Sequence, residues 1–115
     1  MISCNQDAEH QIIGSWQLDK VKTNQYIKNK TEYTQAMRQM IKTTAIKFMP
    51  DKSFGATIWN DTSYGQWKIV KDSLFIFDQS NKENFGVKIL KLSSRKLIMA
   101  EQSDSLMEIL TFIKL

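Results

Sequence analysis

The sequence predicts a single all-β domain, an eight-stranded antiparallel up-and-down barrel with one α-helix between its first and second strands. Short apolar runs recur from Gly14 to the C-terminus with short polar turns between them, which is the pattern of a meander. One early segment breaks that pattern with a helical period. The runs number eight, enough to close a barrel and leave no edge strand.

The first run is Ser15–Val21, where Trp16 and Leu18 alternate with Gln17 and Asp19. The helical segment follows. Tyr33, Met37, Met40 and Ile41 fall at i, i+4, i+7 and i+8, one face of an amphipathic helix over about Thr31–Thr43. Asn29 with Glu32 three residues on fits a capping box, and Thr31 is a second cap candidate. The remaining strands are expected at Ala45–Met49, Phe54–Trp59, Gly65–Val70, Leu74–Phe77, Phe85–Leu92, Lys96–Ala100 and Leu106–Ile113. Turns fall between them, at Asp51-Lys52, Asn60–Ser63, Lys71-Asp72, Gln79–Glu83, Ser93–Arg95 and Gln102–Ser105. Parallel βαβ units would need a helix at every crossover, and only one helical pattern is present. The run Leu74-Phe75-Ile76-Phe77 is apolar on both faces. One face is expected to fill the interior and the other to be covered by the Tyr33/Met37/Met40/Ile41 helix.

Composition narrows the function. At 115 residues, 42% hydrophobic and 24% charged, the chain has the make-up of an ordinary globular domain, and it holds no apolar run long enough to span a membrane as a helix. The net charge is +4, but the lysines stand singly between apolar residues, and Arg38 and Arg95 are far apart. Nucleic-acid binding needs a clustered basic patch, so no nucleic-acid partner is expected. The single cysteine, Cys4, excludes an intrachain disulfide and a thiolate zinc site. His10 is the only histidine and lies in the N-terminal segment, which excludes Ser-His-Asp or Cys-His chemistry within the domain. No phosphate-binding glycine loop or nucleophile elbow occurs. Asp61 with Asp78, or Glu101 with Glu108, are the carboxylates that can meet across strands. Asp51, Asp61, Asp72 and Asp104 read as turn residues capping their own backbone, and Asn60-Asp61-Thr62 lacks the ligand count of a calcium loop. No catalytic residue, metal or cofactor is expected, and the protein is not read as an enzyme.

The N-terminus opens Met1-Ile2-Ser3-Cys4, followed by Asp7 and Glu9. This resembles the end of a bacterial lipobox, in which the cysteine becomes the lipidated first residue, followed by an acidic signal for export to the cell surface. No basic and apolar leader precedes Cys4, so this reading takes the chain to begin close to the cleavage site. The resemblance implies a membrane partner through a lipid on Cys4 and a place in the cell envelope, in the outer membrane, periplasmic or surface-exposed. If Met1 is the true start, the protein is cytoplasmic instead. Asn5–Gln11 is polar and without period, so residues 1–11 are expected as a tether and 12–115 as the domain.

Gly14-Ser15-Trp16 resembles the Gly-x-Trp signature at the head of the first lipocalin strand, where the Trp plugs one end of the barrel. Ile46-Lys47-Phe48 with Pro50-Asp51, the second Gly-x-Trp at Gly65-Gln66-Trp67, and Leu90-x-Leu92 before Leu97-Ile98-Met99 resemble the lipocalin-like domain of bacterial lipoproteins. The likeness runs over nearly the whole chain from Ile12. The lipocalin Thr-Asp-Tyr motif is missing, and the late-strand Arg that packs on the first Trp has no clear counterpart, Lys114 being the nearest basic residue.

The family likeness and the aromatic strand faces together imply reversible binding of a small apolar or amphipathic molecule. The candidate lining or mouth residues are Leu18, Phe48, Phe54, Ile58, Trp59, Trp67, Ile76 and Val87, with Gly14 and Trp16 structural. Trp59, beside Asn60-Asp61 at a turn, stands out as an aromatic at the barrel mouth. Core packing is the simpler account of most of the aromatics, and gap-filling of the methionines. The alternative function is a protein-interaction or inhibitor module whose small barrel is filled by its own side chains.

Overall fold

The computed structural model describes residues 4–24, 27–59, 61–80, 82–103 and 106–115. Its elements in chain order are α1 (Cys4–Ile12), β1 (Gly14–Thr23), α2 (Lys30–Thr43), β2 (Ala45–Phe48), β3 (Ser53–Ile58), β4 (Asp61–Val70), β5 (Ser73–Asp78), β6 (Glu83–Leu92), β7 (Lys96–Ser103) and β8 (Leu106–Lys114). Each strand pairs antiparallel with the next and β8 returns to β1, closing an eight-stranded barrel. All eight expected strands are present, with β4 starting four residues earlier and β7 ending three residues later than expected, and the helix lies between β1 and β2 as expected.

Alternation of side chains across each strand builds the core. Trp67, Ile69, Leu74, Ile76, Leu97, Met99 and Phe112 are buried on the inner face, while their sequence neighbours Lys68, Phe75 and Lys96 point outward. Register shifts between Leu18 and Lys20 and between Ile89 and Lys91 mark bulges in two ten-residue strands, which help each bend around the closed sheet. The strand starts and hairpins sort into two ends. Gly14, the 49–52 and 71–72 turns, the 93–95 turn and the C-terminus share one end; the β3–β4, β5–β6 and β7–β8 connections and the end of β1 share the other.

Three expectations need correction. The segment Asn5–Gln11, expected as a tether without regular structure, is helical. Ala8 packs against the core and Ile12 is fully buried in it, so the segment is ordered by what its C-terminal end buries and not by its own weak propensity. The side chains of Cys4–Asp7, and Met1–Ser3 altogether, lie outside the described residues.

The second concerns α2. Asn29 caps it by accepting the backbone N–H of Glu32 at 3.1 Å, and Tyr33, Met37, Met40 and Ile41 form its half-buried face. That face lies against β1 and β3, not against β5. The helix must leave the end of β1 and return to the start of β2, and a 14-residue helix anchored there does not reach the outer face of β5. Phe75 and Phe77 are consequently exposed on the outer wall, and Phe85 is exposed on β6. Core packing, which accounts for Trp16, Phe48, Phe54 and Trp67, fails for these three.

The third is the turn at 60–63. Asp61 to Ser63 already belong to β4, pairing with Ala56 to Ile58, and Trp59 takes a left-handed φ of 54°. Tight hairpin reversals use positive φ, so the chain turns at Trp59 itself.

Candidate functional site

At the closed end, α1 runs into β1 and Ile12 and Trp16 are both completely buried. The indole Nε1–H of Trp16 donates to the Ile12 carbonyl at 2.7 Å, satisfying its polar edge inside an apolar plug. The ammonium of Lys114, in the last strand, lies 5.4 Å from the centroid of the Trp16 ring and donates to the Gln11 carbonyl at 3.3 Å. Lys114 thus occupies the place over the plugging Trp for which the sequence offered no arginine. Gly14 makes room for it: its φ is +134°, and a Cβ there would come within 2.7 Å of Lys114 Cε.

Above this plug, four of the eight candidate lining residues pack together and not around an opening. Leu18, Phe48, Phe54 and Trp67 are all buried, with Phe48 and Trp67 edge to face at 5.5 Å. Trp67 donates its indole N–H to the Met49 carbonyl at 3.3 Å. Lys52 stands 4.6 Å over its ring and is ion-paired to Glu9 of α1, which fastens the helix across this end. Ile76 and Val87 are buried higher on β5 and β6, next to Leu74 in the register.

The other end differs. Ile58, the last residue of β3, shares the inner face with Phe54 and Ala56, yet is 47% exposed, so the inner face meets solvent at this rim. Trp59 follows it in the turn, 48% exposed. A bulky side chain at positive φ is disfavoured, and an exposed indole gains little from burial to offset that. Thr44, just before β2, is 7% exposed. Its carbonyl accepts the N–H of Leu18 at 3.1 Å, and its Oγ1 is buried without a hydrogen-bond partner. Thr44 is two residues from Ile46, the register partner of Trp16, so its extended backbone puts the hydroxyl on the barrel's inner side.

Carboxylates complete this end. Glu101 and Glu108 are direct cross-strand partners, whereas Asp61 and Asp78 pair with other residues. Asp78 accepts the N–H and hydroxyl of Ser80 at 3.1 and 2.5 Å. Asp51 does the same at the closed end with Ser53, and these hydrogen bonds hold its pKa below the ordinary 3.8. Both aspartates are therefore occupied by their turns. Among the described residues, no group of three or more His, Cys, Asp or Glu side chains is placed to hold a metal, and His10 lies in α1, away from every carboxylate at the open end.

A groove of about 610 Å³ lies elsewhere, over the outer faces of β4, β5 and β6, with Lys68, Phe75, Phe77, Asn84 and Gly86 among its walls. Phe75 lies against the bare backbone of Gly86, whose missing Cβ would sit 3.1 Å from the ring.

An eight-stranded up-and-down barrel plugged at one end by a buried Trp under a basic side chain, and open at the other, defines the lipocalin class of barrel. The chain belongs to the lipocalin-like domain family, whose profile matches residues 12–99. Two solved structures share the fold. An uncharacterized protein from Bacteroides eggerthii is 15% identical with a TM-score of 0.62, covering 90% of this chain and 99% of that one. A lipocalin-like protein from Bacteroides uniformis is 14% identical with a TM-score of 0.59, covering 91% and 99%. Among curated proteins, none matches the sequence.

Ile58 and Trp59, two of the candidate lining or mouth residues, lie together at the open end, whereas sequence reasoning had no means of finding Thr44. A lone Thr after a helix reads as a cap, and only closure of the barrel buries its hydroxyl.

Proposed function

We propose that this chain is a binding protein of the cell envelope that takes up a small apolar or amphipathic molecule through the open end of its barrel, and that it is not a catalyst. The observation that carries this reading is the contrast between the two ends: Trp16 and Ile12 are sealed in completely, while inward-facing Ile58 stays half exposed beside Trp59. Ligand sites in small barrels form at such a mouth, with apolar walls and few polar groups. Fold alone does not prove function, and membership of the family supports binding without naming a ligand. Attachment through a lipid on Cys4 belongs to the same proposal, since two or three acyl chains hold a protein stably at a bilayer.

Native mass spectrometry of the full chain purified without detergent tests the binding, followed by organic extraction. A discrete added mass that is lost on denaturation and proves to be an apolar metabolite supports the carrier. An unliganded mass that persists after incubation with envelope lipids overturns it. For the anchor, acyl labelling of the gene product expressed with its own upstream sequence should disappear in Cys4→Ser.

The outer groove favours a second reading, the protein-interaction module. Exposed Phe75 and Phe77 form an apolar strip on a wall that the fold leaves uncovered. Substituting both with Ser leaves the carrier's ligand mass unchanged but abolishes partner capture if that reading holds.

A further inference from the structure

The two faces of the barrel wall carry opposite charge. Lys20, Lys22, Lys47, Lys68, Lys88 and Lys91 all fall on the outer face in the strand registers, and inward-facing Lys114 sits at the closed end over Trp16. At the open end, the inward strand positions that carry charge are acidic among the described residues. Glu101 shares its strand face with Leu97 and Met99, and its partner Glu108 shares one with Leu110 and Phe112. Asp61 and Glu83, partners of inward Ile58 and Asp78, add the same sign at the strand ends. In a protein of net charge +4, the register sets two like charges, Glu101 and Glu108, opposite each other.

An independent feature lies deeper on the same inner surface. The Thr44 hydroxyl is buried and lacks a partner, a situation that native interiors avoid. Thr44 neighbours Leu18, and Leu18 pairs with Phe112. From Phe112 up β8 to Glu108 is four residues, about 13 Å of strand. Leu110 and, across from it, Val21 lie between.

We infer that the open end selects an amphipathic cation: an ammonium-type head between Glu101 and Glu108, an apolar chain running down past Leu110 and Val21, and a polar group at its far end meeting the Thr44 hydroxyl. This rests on the carrier reading and gives it a ligand class. The two carboxylates offer charge-assisted hydrogen bonds to such a head, and the second polar group completes the bonding of a hydroxyl that has no partner in the free protein.

The test uses the full chain with decylamine, decanol, decanoate, and decylamine bearing a terminal hydroxyl, each below its aggregation limit. Binding is read by calorimetry and by the emission of Trp59, the exposed tryptophan. The expected result is an affinity for decylamine about tenfold above that for decanol, with decanoate weakest, and a preference that shrinks as salt rises. Glu101→Gln/Glu108→Gln should abolish the preference for decylamine over decanol. The terminal hydroxyl should tighten binding about threefold, an increment absent in Thr44→Val. If decanoate binds as tightly as decylamine, or if the double Gln variant keeps the preference, the cation inference is overturned while the carrier survives. If none of the four binds, the cation inference is overturned, and the native mass measurement with envelope lipids decides the carrier reading separately.

Discussion

Lys114 and Trp16 sit together at the sealed end of the barrel, the ammonium 5.4 Å above the indole centroid and bonded to the carbonyl of Gln11. Residues near the two ends of the chain are thereby joined at the point where β8 closes on β1. Replacing Lys114 by Met keeps the apolar stem and removes the charge, and should cost about 1 kcal/mol. Lys114→Arg should be neutral or stabilising. Gly14→Ala should cost more than 1 kcal/mol, roughly, from its positive φ alone. The loss should persist in a Gly14→Ala/Lys114→Ala double variant, where the clash with Lys114 Cε is gone. Urea unfolding with Trp emission measures all four.

Thr44→Val should stabilise the ligand-free protein by about 1 kcal/mol, because it removes a buried hydroxyl that has no partner. The thermal midpoint reports this directly. A lower midpoint would mean that the hydroxyl is satisfied in solution.

Trp59 turns the β3–β4 hairpin at φ 54°, a conformation that Asn or Gly adopts easily. Trp59→Asn should therefore raise stability by about 1 kcal/mol while weakening the uptake of an amphiphile at the rim. Stability and binding moving in opposite directions distinguishes a functional Trp from one that merely packs. A fall in both would assign Trp59 to packing against the rim.

Acid sensitivity has a local source at Asp51. Its hydrogen bonds from Ser53 depress the carboxyl pKa below 3.8 in the folded state. Its contribution is therefore complete above the unfolded value and is lost as pH falls from there through the folded one. In melts between pH 6 and about 2.5, wild type and Asp51→Ala should differ most at the upper end and converge toward the lower. A difference that is constant with pH would remove Asp51 as the source.

Much of this architecture was legible in the sequence because it depends on local period. The two-residue alternation of Trp67, Ile69, Leu74 and Ile76 and the four-residue spacing of Tyr33 and Met37 are properties of single strands and helices. Polar turns between them left an antiparallel meander as the simplest connection. The N-terminal helix escaped notice because its apolar signal is one pair, Ala8 and Ile12, four apart in an otherwise polar stretch.

By itself the sequence determined the number of strands, their inner faces, the helix and the Trp16 plug, since side-chain period and chain order specify these without reference to distant residues. Only the tertiary structure decided what the long-range pairings bring together. Closure of β8 on β1 put Lys114 over Trp16, burial beside Leu18 orphaned the Thr44 hydroxyl, and the register of β7 against β8 set Glu101 opposite Glu108. The course of α2 along β1 left Phe75 and Phe77 bare. Each depends on register and on which neighbour a surface meets, and a one-residue slip, which reverses every face of a strand, would have undone them all.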